Sequence, residues 1–170
     1  MSKFDPSISY DEIDTDIRIM GDSIKRQYNA DCIVAIGRGG LILAGMLAYH
    51  MRIENVRHLD LARKNVQSED TLDDEPIIIL RAPFVVEGKF EKILIVDDIS
   101  CKGQTLKWIH DHRNTLFYAN SGRYPSVRYF TLFRRNSSRF WPDYCCHEID
   151  HETYIDFPWD YDGRDEEISF

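Results

Sequence analysis

The sequence predicts a single α/β domain with a mostly parallel central sheet flanked by helices. Two runs carry this reading, Cys32-Ile-Val-Ala-Ile36 and Ile93-Leu-Ile-Val-Asp97. Both are continuously apolar rather than alternating, the pattern of strands covered on both faces and hence of parallel pairing. Each leads into a glycine-bearing turn and then a helical pattern, which is the rhythm of an α/β fold. At 170 residues the chain suits one domain with a real core.

Composition narrows the function. No apolar run approaches the roughly 18 residues of a membrane span, and Met1-Ser-Lys-Phe-Asp-Pro6 has no signal-peptide character. Cys32, Cys101, Cys145 and Cys146 show no CxxC spacing, so reduced thiols in a cytoplasm are expected. A net charge of −8 argues against nucleic acid and anionic membrane as partners. Lys and Arg are scattered apart from Arg134-Arg135, so an anionic substrate has to be met by local donors.

In chain order, Ile8 to Asp11 reads as a short strand and a helix N-cap, with Asp11 as the cap. Ile13, Ile17, Met20 and Ile24 line one helix face, and Asn29 or Ala30 ends it. After the strand Cys32–Ile36 comes Gly37-Arg-Gly-Gly40, and Leu41 to His50 reads as an apolar helix packed on the sheet. Strand, glycine-rich turn and helix can bind an anion through converging amides, with Arg38 adding a bidentate donor; most such turns are simply tight connections. Val56 to Leu61 reads as a short strand. Residues 62–75 are polar and without period, fitting a mobile flap or an acidic surface loop. Residues 76–80 and 84–86 read as a hairpin at the sheet edge.

The second long run ends on Asp97-Asp98 and continues Ile-Ser-Cys-Lys-Gly-Gln-Thr105 before a helix over 105–118 with Leu106, Ile109 and Leu116 inward. Carboxyl ends of strands are where open α/β sheets bind ligands. Ser100, Gly103 and Thr105 before a helix N-terminus offer backbone N–H groups to a phosphate. The acids repel a phosphate, but they accept hydrogen bonds from a sugar diol or bind hydrated magnesium. Together they suggest a sugar phosphate. Ser121 to Pro125 reads as a turn, Val127 to Phe133 as a strand ending on Arg134-Arg135, and Tyr144 to Ile149 as another short strand. The tail Thr153-Tyr-Ile-Asp-Phe-Pro-Trp-Asp160 mixes aromatics and acids, and residues 161–170 are acidic.

Val96-Asp97-Asp98-Ile99-Ser100-Cys101-Lys102-Gly103-Gln104-Thr105 resembles the phosphoribosyl pyrophosphate (PRPP) signature of type I phosphoribosyltransferases. With Ile8 to Asp11, Gly37 to Leu41 and the tail octapeptide in the same order, the chain looks like the bacterial xanthine-guanine branch of that family. The resemblance implies the type I fold over 1–170, with a core over about 1–135, a small C-terminal hood over about 134–162 that binds the base, and the tail 161–170. It implies a magnesium-dependent glycosyltransferase (a pentosyltransferase of purine salvage) acting on PRPP and a purine base, with guanine, xanthine or hypoxanthine favoured. It further implies pyrophosphate and a nucleoside monophosphate as products, and a homodimer or homotetramer as the assembly. By that resemblance Asp97 and Asp98 hold ribose and metal. Ser100, Lys102, Gly103, Gln104 and Thr105 hold the 5′-phosphate, and Arg38, Gly39 and Gly40 the pyrophosphate. Tyr154 stacks on the base beside Ile155, and Arg135 stands where the family's lysine meets the 6-oxo group. Arg63, Lys64 or Ser68 in the flap could touch pyrophosphate.

Two positions depart from the pattern. Cys101 replaces the carboxylate that oxopurine enzymes use toward the base N7 proton, and Lys102 replaces a threonine. They favour a competing class: a catalytically weak or inactive PRPP- or nucleotide-binding regulatory or defence protein with the same fold. The acid pair, both loops and Tyr154 favour the enzyme.

Other clusters carry less. His147 and His151 beside Cys145-Cys146 lack the matching second ligand pair of a zinc site. His110 and His112 read as surface residues, and Trp108 and Trp141 as packing. Cys101 near a helix N-terminus has no neighbouring histidine to serve as a base, which makes a thiol nucleophile a poor reading.

Overall fold

The computed structural model describes residues 7–64, 77–81, 84, 90–117, 124–150 and 152–160. In order these form α1 (Tyr10–Gln27), β1 (Cys32–Ile36), α2 (Gly37–Met51), β2 (Val56–Leu59), β3 (Leu61–Lys64) and β4 (Ile77–Leu80). Next come β5 (Lys92–Ser100), α3 (Gln104–Leu116), β6 (Ser126–Arg135) and β7 (Tyr144–Ile149). Five strands make one sheet in the order β2-β1-β5-β6-β7, and every pairing in it is parallel.

Both faces of that sheet are covered, which is why β1 reads as an unbroken apolar run. Ile33 and Ala35 of β1, with Leu94 and Val96 of β5, face a core shared with α1 and α2. Cys32, Val34, Ile93 and Ile95 face the opposite core, with Leu106 and Ile109 of α3. Each such aliphatic side chain contributes roughly 1.5–3 kcal/mol by leaving water. Burial pushes the Cys32 thiol up to about 11, and none of the four cysteines is in a disulfide.

Polar pins fix where the strands start. The Tyr28 hydroxyl, just past α1, donates to the carbonyls of Ile93 (3.1 Å) and Ser126 (2.6 Å), tying β5 to β6. The Asp31 carboxylate accepts the N–H groups of Glu91 (2.8 Å) and Lys92 (3.1 Å). These bonds set the register that carries Asp97 to its place opposite Thr131.

Several sequence expectations are corrected. The cap of α1 is Ser9, not Asp11. Ser9 and Glu12 form a reciprocal capping box, Ser9 N–H donating to Glu12 Oε2 (2.8 Å) and Glu12 N–H to Ser9 Oγ (3.3 Å). Asp11 sits in the first turn, where its charge suits the helix N-terminus. The expected first strand is a single parallel bridge from Ser7 to Asp156 in the tail. Helix α1 ends at Gln27, and Asn29 follows with a left-handed φ of 52°. Gly37-Arg-Gly-Gly40 is no loop: Gly37 takes φ 59° directly after Ile36 and α2 starts there. Strand 56–61 is two strands, and β4 pairs antiparallel with β3 in a separate ribbon; residues 85–86 of the expected hairpin lie outside the described residues. Of that second arm only Phe84 is described, packed edge-on against Phe117 at 5.8 Å. Of the expected flap 62–75, residues 62–64 belong instead to β3, paired with β4, and the rest, with Ser68, lies outside the described residues, as do residue 76, the turn residues 121–123, His151 and the tail beyond 160.

Candidate active site

β5 does not stop at the acids. It runs through Asp97 and Asp98 to Ser100, so both carboxylates stand within a paired strand. Adjacent strand residues point to opposite faces, yet local bonds gather this pair. Asp97 Oδ1 accepts the Asp98 N–H at 3.0 Å, and Asp98 Oδ1 accepts the Ile99 N–H at 2.7 Å. The other Asp98 oxygen lies on the first turn of α2, where any side chain at Gly39 would overlap it. A methyl at Gly40 would come 2.6 Å from the Val96 carbonyl. The two glycines thus serve first as the seat of β5 against α2. Burial raises the Asp98 carboxyl above its ordinary range, the nearby charge of Asp160 adds to that, and the Ile99 N–H and Asp97 oppose it.

The turn Cys101-Lys102-Gly103 connects β5 to α3. Gly103 caps α3 with φ 75°, a conformation glycine adopts without cost. Its backbone leaves no room: a methyl there would meet Phe140 N and Ser138 Oγ, each at 2.6 Å. The acids, this turn and Gln104 to Leu106 line one cavity of about 210 Å³, closed on other sides by Ile36 and Leu61. The structure therefore brings together in one cavity Asp97, Asp98, Ser100, Cys101, Lys102, Gly103, Gln104 and Thr105. Ser100 is buried and its hydroxyl pairs with Ser138 at 3.0 Å. Arg38 is exposed on the first turn of α2 and is not among the residues lining this cavity.

The other predicted half is assembled differently. Arg135 ends β6 and its Nη2 donates to the Thr153 carbonyl at 3.0 Å, hooking the tail just before Tyr154. Its Nε is buried without a hydrogen-bond partner. Tyr154 is 56 % exposed, whereas Ile155 is buried. Neither they nor Arg135 line the cavity of the acids. Ile155 instead borders a second cavity of about 560 Å³ between α1 and β7, with Phe133 and His147. His147 Nε2 lies 2.6 Å from Asp16 Oδ2 there, and its ring stacks on Phe133 at 5.0 Å. Cys145 Sγ donates to the His147 carbonyl (3.2 Å), so these residues serve β7 and α1.

Sequence reasoning missed three neighbours. Arg134, 2 % exposed, pairs with Glu148 Oε1 at 2.6 Å and lies 3.5 Å under the Trp141 ring. That makes the exposed Trp141 the cover of a buried cation. Ser138 and Asp160 complete the set. The Arg134-Arg135 doublet and the tail acid were visible in the sequence, but nothing near Ser138 announced it.

A parallel sheet with two carboxylates and a helix-capping turn in one cavity is an arrangement that known proteins can be compared with directly. The family model described as the phosphoribosyl transferase domain matches residues 9–165. The chain belongs to that family. Among curated relatives, a xanthine-guanine phosphoribosyltransferase of Cereibacter sphaeroides is 29 % identical over 171 residues, covering 93 % of each chain. Among solved structures, the xanthine-guanine-hypoxanthine phosphoribosyltransferase of Helicobacter pylori superposes with a TM-score of 0.70 at 19 % identity, over 92 % of this chain and 94 % of that one. A purine phosphoribosyltransferase from Pyrococcus horikoshii gives 0.67 at 22 % identity, over 91 % and 92 %. The phosphoribosyltransferase fold thus accounts for nearly the whole chain, as its motifs implied.

Proposed function

We propose that this phosphoribosyltransferase joins the 5-phosphoribosyl group of PRPP to a 6-oxopurine, guanine, xanthine or hypoxanthine, releasing pyrophosphate. The observation that carries the reading is the single cavity in which the acid pair and the α3-capping turn meet. In it Asp97 and Asp98 accept the ribose hydroxyls, and the amides of 101–105 receive the 5′-phosphate at the N-terminus of α3. The first turn of α2, with Arg38, faces pyrophosphate. A ring nitrogen of the base bonds to C1 as the C1–O bond breaks, and the electron pair leaves on pyrophosphate.

Magnesium fits this donor set on one condition. Two adjacent carboxylates are hard oxygen ligands, but among the described residues no group of three or more His, Cys, Asp or Glu could hold a metal. Water and PRPP would have to supply the remaining oxygens, the usual manner of magnesium binding at phosphate sites. Held by Asp97 and Asp98, magnesium would supply positive charge to offset that growing on pyrophosphate. A carboxyl as buried as Asp98 also gains a partner for its charge.

The base is held by Tyr154, an exposed aromatic face, and by the guanidinium of Arg135 beside the tail. Cys101 is a poorer proton acceptor than the carboxylate of the family pattern, which predicts slow turnover. The enzyme acts in the cytoplasm as a homodimer or homotetramer. A screen of adenine, hypoxanthine, guanine, xanthine and uracil with PRPP and magnesium, reading pyrophosphate release, tests the reading. Release with the three 6-oxopurines and not with adenine or uracil is the expected result. Tight PRPP binding with no release on any base would instead support the second reading, a PRPP-responsive regulatory or defence protein, which Cys101 favours.

A further inference from the structure

The connection from β6 to β7 is short for a parallel pair. Parallel neighbours usually need a crossover of a dozen or more residues, commonly a helix; here residues 136–143 suffice. Register sets its course. Arg135 lies opposite Ile149 and Phe130 opposite Tyr144, so the chain runs back along β6 before β7 begins. On that return it passes against the turn 101–103.

The contacts there are specific. Ser138, 4 % exposed, sits at their centre. Its hydroxyl is 3.0 Å from Ser100 Oγ and donates to the Phe140 carbonyl at 2.8 Å. Its N–H donates to the carbonyl of Arg135 at 2.9 Å. One residue on, Arg139 N–H donates to the Lys102 carbonyl at 3.2 Å. Gly103 has its open side filled by Ser138 Oγ and Phe140 N. The strap is fastened at both ends. Asn136 N–H donates to Ile149 O (2.8 Å), its side chain to Asp150 Oδ1 (3.0 Å), and Asp143 Oδ2 accepts the Tyr129 N–H (2.8 Å).

We infer that Ser138 is a positioning residue for the phosphate side of the site. It holds the 101–103 turn so that the α3 amides face the 5′-phosphate, and ties that turn to the backbone of Arg135. The inference rests on the proposed PRPP reading. The mechanics are indirect: Ser138 is not among the residues lining the cavity. It acts through Ser100 and Gly103. A turn whose carbonyl and serine hydroxyl are held from behind pre-forms its amides, which lowers the ordering cost of binding.

The test separates the two ends of the site. PRPP binding with magnesium and guanine binding are measured by calorimetry on the full chain, wild type and Ser138→Ala. Loss of one buried hydroxyl pair predicts PRPP affinity down about tenfold, with guanine affinity changed less than about twofold. KM for PRPP should rise with kcat nearly unchanged. Ser138→Cys keeps a weak donor of similar size; it should fall between the two and serves if the alanine variant does not fold. Equal loss of both ligands, or PRPP affinity unchanged in a folded variant, overturns the positioning role. A wild type that binds no PRPP overturns the site reading and the inference together, an outcome distinct from the first two.

Discussion

On the phosphate side of the candidate site, residues 97–106 follow one another along the chain. On the base side, Arg135 and Tyr154 come from a strand end and a tail far downstream. The first side is backbone chemistry: a strand, a turn with φ 75° at Gly103, and a helix N-terminus. It needs few side chains, and it is braced from behind by Ser138. The second side is side-chain chemistry on a segment held by individual bonds, Arg135 to Thr153 and the bridge from Asp156 to Ser7. Phe157 packs on Phe133 at 5.7 Å and on Trp159 at 4.9 Å to anchor it. The difference teaches that one side takes its shape from consecutive backbone, while the other depends on separate long-range bonds, and that Ser138, bonded to both Ser100 and Arg135, is one link between them.

That separation can be broken in order of expected effect. The largest is at Cys101, which lines the cavity where the family pattern has a carboxylate. Cys101→Asp should raise kcat on guanine or xanthine by about 10²–10⁴-fold with PRPP affinity unchanged, and Cys101→Ala should differ little from wild type. Steady-state pyrophosphate release reads both. A brisk wild type abolished by alanine would make the thiol a direct participant and sink the proton-acceptor account.

Next is Gly103→Ala, which adds strain at φ 75° and a clash with the strap. It should destabilise the fold by about 2–4 kcal/mol and weaken PRPP more than the base. Denaturant melts with parallel binding measurements check it, and a loss confined to the base would merge the two sides. On the other side, Arg135→Ala should cost 6-oxopurine binding about 1–3 kcal/mol. Tyr154→Ala should weaken all bases in parallel, and neither change should move PRPP affinity.

The smallest effect sharpens the comparison through pH. Asp98 has its carboxyl raised in the folded state, chiefly by burial. The folded chain therefore holds that proton more tightly than the unfolded chain. Stability tied to this group is present below its unfolded pKa and is lost as pH rises through the folded one. Asp98→Asn should accordingly raise Tm of the ligand-free protein at pH 7. The gain should shrink as the medium is acidified toward pH 4, while magnesium-dependent PRPP binding weakens at every pH. A Tm difference that grows on acidification would contradict the assignment.

Much of the phosphate side could be read in advance because its determinants are local. An apolar run, two acids, a glycine and an amphipathic helix stand in chain order, and the strands 32–36 and 144–149 were bounded correctly. The strand through Asp97 to Ser100 was cut short because polar residues argue against a central strand, and only pairing with β6 overrides that. The start of α2 at Gly37 was missed for a related reason: glycines lower helix propensity, while close packing on β5 demands them. Ser9 was overlooked although the S-x-x-E pattern was there to find. What no local pattern reveals is partnership across distance. Ser138 meets Ser100 because of where β7 lies, and Arg135 meets Thr153 because of how the tail returns.

The sheet order has a consequence for synthesis. β1 and β2 emerge early, but β1's other neighbour, β5, is made some sixty residues later. Until then a ribosome-bound chain presents an unpaired edge on a strand apolar on both faces, a template for aggregation. A nascent chain halted before residue 92 should therefore recruit chaperones, and one extended past β6 should release them. The strand that carries Asp97 and Asp98 is also the one that closes the gap between the two halves of the sheet.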